Sequence, residues 1–205
     1  QEGRSGRRWQ AAGASQLTEL RRLTRPLILH RRKAQVVDLP PKQRCSHQVS
    51  LSSAEMIGFS HRVDLVVEDY RRRAGLGLVR SDAEPLAVLT SMRQIAAEFK
   101  LPSVRQLLIE LRLKGEAVVL FSAFLAPLRL LHQQLGGELL TGQQLPAERQ
   151  IAVDRFQRGS SDVLLATYGT GALGYTLHRA RHVILLERPW TPGDLAQAED
   201  RCHRL

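Results

Sequence analysis

Four short apolar runs punctuate the second half of the chain: Ala117 to Phe121, Glu138 to Leu140, Val163 to Ala166 and Val183 to Leu186. The first, third and fourth are rich in Val, Ile and Leu without strict alternation, the pattern of strands buried on both faces of a parallel sheet. Between the first two runs, Leu125, Leu128, Leu131 and Leu135 repeat at helical spacing until Gly136-Gly137. Between the second and third, Pro146 to Phe156 reads as a helix opened by proline and closed by Gly159. Strand, helix, strand, helix, strand with short links is a βαβ series, so the pattern predicts an α/β fold, a parallel sheet flanked by helices. In such sheets function gathers at the carboxyl ends of the strands.

The preceding segment changes period. Ser52-Ser53-Ala54-Glu55 is a capping-box pattern, and a helix is expected from there to Arg73, before Gly75 and Gly77. A second helix is expected from about Glu84 to Phe99. A third follows, with Val104, Leu107, Leu108 and Leu111 on one buried face and Lys114-Gly115 at its end. The expected organisation is a basic tail and link over residues 1–44, a mostly helical insertion over 45–100, and the sheet-bearing lobe over 101–205.

Charge adds an asymmetry to this picture. The 205 residues hold 30 Lys+Arg against 20 Asp+Glu, and 43% of them are hydrophobic, enough for a core. Residues 1–44 carry 11 Lys/Arg against Glu2, Glu19 and Asp38, so +8 of the net +10 lies there. Such segregation points one edge of the molecule at a polyanion, with residues 1–16 read as a solvated tail. Cys45 and Cys202 form no Cys-x-x-Cys pair, which excludes a disulfide framework or a cysteine zinc site and makes a reducing, intracellular compartment the default. The histidines show no ligand spacing, and no metal ligand set is proposed. No run of about 18 apolar residues is present for a membrane span, and no membrane partner is expected.

The candidate chemistry lies at the strand ends. Ser122 follows the first run, Thr141-Gly142 the second, and Thr167-Tyr168-Gly169-Thr170-Gly171-Ala172-Leu173-Gly174-Tyr175-Thr176 the third. Three glycines in six residues permit a tight turn whose amides approach an anion, although such turns more often only connect elements. Thr191-Pro192-Gly193-Asp194 then signals a helix start. On that helix Gln197, Arg201 and Arg204 fall at i, i+4 and i+7, one polar stripe. Two guanidinium forks a turn apart can clamp a γ-phosphate. The plain alternative is a surface helix with an Asp200–Arg204 pair of little worth. Trp190 reads as a packing residue, and Arg71-Arg72-Arg73 as the cationic end of a helix.

The string Gln197-Ala198-Glu199-Asp200-Arg201-Cys202-His203-Arg204-Leu205 resembles the last helicase motif of the Swi/Snf-type DNA translocases, a branch of the superfamily-two helicase-like ATPases. Trp190-Thr191-Pro192-Gly193 resembles the segment that precedes that motif, and Thr167 to Leu177 the glycine-rich fifth motif. Thr141-Gly142 with Arg149 and Phe156 resembles an Asp-Gly signature in which Thr141 replaces the usual Asp. Arg25-Pro26-Leu27-Ile28-Leu29-His30-Arg31-Arg32-Lys33 and Leu39-Pro40-Pro41-Lys42 look like the family's link between its two ATPase lobes, with His30 where Arg is commoner. Gly171-Ala172 stands where Gly-Gly is frequent. Nearly everything from about Leu17 to Leu205 is covered, in the family's order.

The resemblance implies a RecA-like second lobe with a helical insertion, from an ATP-dependent translocase on double-stranded DNA. It makes Arg201 and Arg204 arginine fingers, Gln197 their positioning neighbour, and Gly171 and Gly174 the shapers of a nucleotide-coupled loop. Ser122, Thr141 and Thr167 would hold DNA phosphates. The implied cofactor is ATP with Mg2+, and the implied partners are DNA and an N-terminal ATPase lobe. The chain holds neither a Gly-x-x-x-x-Gly-Lys-Ser/Thr loop nor an Asp-Glu-x-His box. It begins without Met and stops where the family continues with Gly-Gln, so the expectation is a piece of a larger enzyme, inactive alone. Its compartment would be the cytoplasm or nucleoid in a bacterium, the nucleus in a eukaryote. Two alternatives stay open: a lobe of a strand-separating superfamily-two helicase, and a non-catalytic DNA-binding module that keeps the fold.

Overall fold

The computed structural model describes residues 16–29, 38–79, 83–171 and 174–203. The chain divides into two units, Gln1–Pro40 and Pro41–Leu205. In the first, α1 (Leu17–Thr24) places Leu17, Leu20 and Leu23 at helical spacing, all exposed, with Arg21 and Arg22 in its last turn.

The second unit opens with two long helices. α2 (Ser53–Gly75) starts at the expected capping box: the Glu55 amide donates to Ser52 Oγ at 3.3 Å and the Ser52 amide to Glu55 Oε2 at 2.8 Å. The cationic end at Arg72 and Arg73 is paired with Asp69 at 2.6 and 2.9 Å. α3 (Ala83–Leu113) differs from expectation, being one helix of 31 residues where two were predicted, with Pro102 inside it. Proline removes one main-chain donor. Here burial of Leu101, Val104 and Leu108 on the sheet outweighs that loss. The two helices pack antiparallel through an edge-to-face Phe59–Phe99 contact at 5.5 Å and an Arg62–Glu98 ion pair at 2.7 Å.

The sheet has four parallel strands, β1 (Val118–Ser122), β2 (Glu138–Leu140), β3 (Val163–Thr167) and β4 (His182–Leu185), in the order β2-β3-β1-β4. Helices α4 (Leu125–Leu135), α5 (Pro146–Gln157), α6 (Tyr168–Gly171) and α7 (Pro192–Cys202) follow successive strands. Because side chains alternate across a strand, β1 and β3 feed two apolar layers. Val119, Phe121, Leu164 and Ala166 pack with Val153 and Phe156 of α5 and Ala198 and Cys202 of α7. Val118, Leu120, Val163 and Leu165 pack with α3 and with Leu128 and Leu131 of α4. Each fully buried Leu, Val or Phe contributes about 1.5–3 kcal/mol relative to exposure. Arg179 ties the loops beneath: it donates to the carbonyls of Phe156 and Ser161 at 3.1 and 2.8 Å, and to Asp162 at 2.5 Å. None of the described helices is long and apolar enough to cross a membrane.

Candidate nucleotide and nucleic-acid interface

The parallel register brings the three predicted hydroxyls together. Ser122 pairs with Thr167 across β1 and β3, and Leu140 with Ala166, so Thr141 stands beside Thr167 at the carboxyl edge of the sheet. Their surroundings differ. Thr167 is half-buried, and its hydroxyl lies 2.5 Å from that of Thr170. Thr141 is 4% exposed; its amide donates to Gln144 Oε1 at 2.7 Å, while its hydroxyl makes only a 3.5 Å contact there.

Ser122, expected on a DNA phosphate, has no exposed surface. Its hydroxyl donates to Glu187 Oε1 at 2.9 Å and accepts from the Phe124 amide at 3.0 Å. A residue enclosed in this way shapes the turn after β1 and does not reach a phosphate, which corrects that expectation. The Ala123 amide also donates to Glu187 Oε1. Burial raises the proton affinity of Glu187 above the ordinary carboxylate value, opposed by the Ala123 and Ser122 hydrogen bonds and then by the charges of Arg93 and Lys100. Tyr168, at the start of α6, donates to the Glu187 main-chain carbonyl at 2.5 Å. Burial, and next the Glu187 charge, push its phenol up.

The glycine-rich segment after β3 begins as the single turn α6 and reaches Gly174, whose φ of +90° belongs to glycine. Ala172 and Leu173 lie outside the described residues. Three residues past Gly174, the Leu177 amide donates to the Arg201 carbonyl at 2.8 Å and binds this segment to α7.

Helix α7 starts where the sequence predicted: Thr191 Oγ1 accepts from the Asp194 amide at 3.1 Å and Pro192 occupies the first turn. Gln197 is exposed and Arg201, one turn later, is half-buried. The helix ends at Cys202, and Arg204 lies outside the described residues. Its inner face carries Ala198, Glu199 and Cys202. Burial pushes the Cys202 thiol up to about 12.

Glu199 was missed by the sequence reading. Arg44 donates to its two oxygens at 2.8 and 2.6 Å, and Lys42 to Oε2 at 3.4 Å and to Asp200 at 2.7 Å. Arg44, by its hydrogen bond and then its charge, holds the Glu199 carboxyl below its usual range. Part of the N-terminal positive charge is therefore internal: it fastens the segment around Lys42 and Arg44 to α7. An acid on the apolar side of the predicted helix, next to Ala198 and Cys202, was the available signal. Glu187 had a similar one, a lone acid closing the run from Val183 to Leu186.

A parallel α/β lobe with a glycine-rich turn and an arginine-bearing helix at the carboxyl ends of its strands has the layout of a RecA-like lobe. The helicase conserved C-terminal domain matches residues 100–205, and the chain belongs to that family. It is 30% identical over 206 residues to the SWI/SNF-related matrix-associated actin-dependent regulator of chromatin subfamily A-like protein 1 of Xenopus laevis, covering 96% of this chain and 21% of the relative. It is 26% identical over 208 residues to the mouse (Mus musculus) DNA annealing helicase and endonuclease ZRANB3, covering 97% and 19%. Among solved structures, the SWI2/SNF2 ATPase core domain of Sulfolobus solfataricus superposes with a TM-score of 0.62 at 20% identity, over 92% of this chain and 44% of that one. The C-terminal part of the Fun30 ATPase domain gives 0.58 at 16%, over 82% of each. The chain is thus a C-terminal lobe of Swi/Snf type, and it spans about a fifth of the length of these curated relatives.

Proposed function

We propose that this chain is the second motor lobe of an ATP-dependent translocase on double-stranded DNA, working against a first lobe that carries the phosphate loop and the magnesium ligands. The observation that carries this reading is the mounting of α7. Its start is capped by Thr191, its inner face is clamped through Glu199, and its last turn is bonded through the Arg201 carbonyl to the glycine-rich segment. A helix held at three points presents its arginine with little reorganisation, as electrostatic catalysis requires.

Among the described residues no cluster of three His, Cys, Asp or Glu side chains forms, and the ends of β1, β2 and β3 carry hydroxyls and main-chain amides. Hydroxyls and amides of that kind suit the oxygens of a phosphate group. Bound ATP supplies the phosphoryl bond whose hydrolysis drives stepping. Arg201 would lend its guanidinium to the developing charge, with Arg204 sharing the role and Gln197 orienting the pair. Gly171 and Gly174 would let the segment after β3 follow α7, because the Leu177–Arg201 bond transmits any shift. Thr167 and Thr141 would meet phosphates of one DNA strand, contacts that position without reading sequence. Ser122 serves that edge indirectly, through Glu187. Alternate gripping by two lobes that close on ATP and open on release gives stepping. Residues 1–44 are proposed as tail and link, 45–100 as insertion and 101–205 as motor lobe, with α3 shared by the last two.

The test is ATP hydrolysis by the two-lobed protein on blunt duplex DNA, with strand separation followed in parallel. Duplex-stimulated hydrolysis without separated strands supports translocation. Separation of the strands would favour the helicase alternative, and no hydrolysis at all the binding module.

A further inference from the structure

We propose that Glu187 is a positioning residue for the turn that closes β1, with Arg93 of α3 as its charge partner, and that through this pair the long helix sets the strand ends that meet DNA. What those ends do rests on the function proposed above; the pair itself rests on the bond from Arg93 to the carbonyl of the next residue, Arg188, and on the unbonded atom that each side chain buries.

Glu187 is 7% exposed and has only one oxygen satisfied. Oε1 takes both the Ser122 hydroxyl and the Ala123 amide, while Oε2 is buried and accepts no hydrogen bond. A carboxylate so placed weighs against folding, since a buried charge is tolerated only when fully paired. α3 reaches the same segment twice without relieving it. Lys100 Nζ donates to the Leu186 carbonyl at 3.0 Å, and Arg93 Nη2 to the Arg188 carbonyl. The Arg93 guanidinium lies 4.3 Å over the Trp190 ring, and its Nη1 is buried with no acceptor.

A carboxylate oxygen just past β4 and a guanidinium nitrogen on α3 are therefore both left over, on side chains joined through the Arg93–Arg188 bond. Their pairing would draw residues 186–190 toward α3. Ser122 and Ala123 hang on Glu187, Tyr168 donates to its carbonyl, and Trp190 immediately precedes the cap of α7. A shift at this one point is thus communicated to the turn after β1, to α6 and to the start of α7. Half-satisfied buried polar groups of this kind are poor stabilisers and suit elements with two arrangements. A purely structural anchor would have both oxygens bonded.

Two measurements on Glu187→Gln separate these roles. Gln keeps an acceptor for Ser122 and Ala123 but removes the charge. In the 205-residue chain near pH 7 its melting temperature should rise, by roughly 2–4 °C. In the two-lobed protein the same change should raise the DNA concentration for half-maximal ATPase stimulation about fivefold or more, a larger effect than on kcat. Arg93→Gln should raise that DNA concentration in the same way, and the double variant should be no worse in DNA dependence than either alone. A fall in melting temperature, with kcat and DNA dependence declining in step, would make Glu187 a structural anchor and overturn the proposal. So would unchanged DNA dependence in both single variants. Arg201→Ala in the same protein keeps the two readings apart: if it still hydrolyses ATP normally, the motor-lobe reading fails, whatever Glu187 does.

Discussion

Replacing Gly137 by alanine tests the close approach that sets β2 against β3. Gly136 and Gly137 are adjacent in the turn between α4 and β2, with φ of +71° and +94°, so an L side chain is strained at either. A positive-φ backbone of this kind costs about 1–3 kcal/mol for a residue with a Cβ. The two positions differ in room. A Cβ on Gly136 meets nothing within 4 Å, whereas one on Gly137 falls 2.9 Å from the Val163 carbonyl oxygen and 3.2 Å from its Cβ. Val163 is the first residue of β3 and is buried, so it yields only by moving backbone, an overpacking penalty of about 1–3 kcal/mol. For a chain of this size each kcal/mol shifts the melting temperature by roughly 2–4 °C. Gly136→Ala should therefore lower it by roughly 2–12 °C and Gly137→Ala by a further 2–12 °C. Thermal and urea unfolding of the 205-residue chain measure both, with an unchanged urea slope showing that stability alone has moved. Equal losses at the two positions would refute the steric reasoning and leave only the backbone penalty.

The clamp on α7 has a pH signature. Because Arg44 lowers the Glu199 carboxyl in the folded state, its stabilisation is present above the unfolded-state value and is lost as acid titrates the folded carboxyl. Glu199→Gln should thus destabilise the chain near neutral pH, and the difference from wild type should close in acid; a difference constant with pH would mean that the ion pairs contribute nothing. DNA binding by the chain should be weak, indifferent to sequence and steeply reduced between about 50 and 200 mM salt. Titrations of two unrelated duplexes would check this, and a flat salt response or a strong preference for one sequence would contradict phosphate-based gripping.

The elements that sequence pattern revealed are those whose signal is local. β1 to β4 are dense apolar runs, α2 and α7 carry their own caps, and each appears within a residue or two of expectation. The segments Glu84 to Phe99 and Val104 to Leu111 were read as separate helices, because the sheet packing that carries α3 through Pro102 is not visible in sequence. The strand order β2-β3-β1-β4 was likewise hidden, being set by long-range register. The hydroxyl row at Ser122, Thr141 and Thr167 was legible as three strand ends, but the burial of Ser122 depends on Glu187, 65 residues away. Glu199 finds Arg44 at a separation of 155 residues, beyond any spacing rule. Recognition of the last motif came from its wording, yet what steadies the helix that bears it comes from charges near the start of the chain.

The central claim is that Arg201 acts on the nucleotide of a partner lobe. Its most direct test is DNA-stimulated ATP turnover by the two-lobed protein carrying Arg201→Ala, with duplex binding and melting temperature measured alongside. Turnover should fall by a factor on the order of 10³, as for other arginine fingers, with DNA affinity and stability nearly unchanged. Arg201→Lys should recover only part of it, since an ammonium cannot reproduce the bidentate fork. Near-normal turnover in the alanine variant would contradict the claim and leave a chain that shares the motor fold without its chemistry.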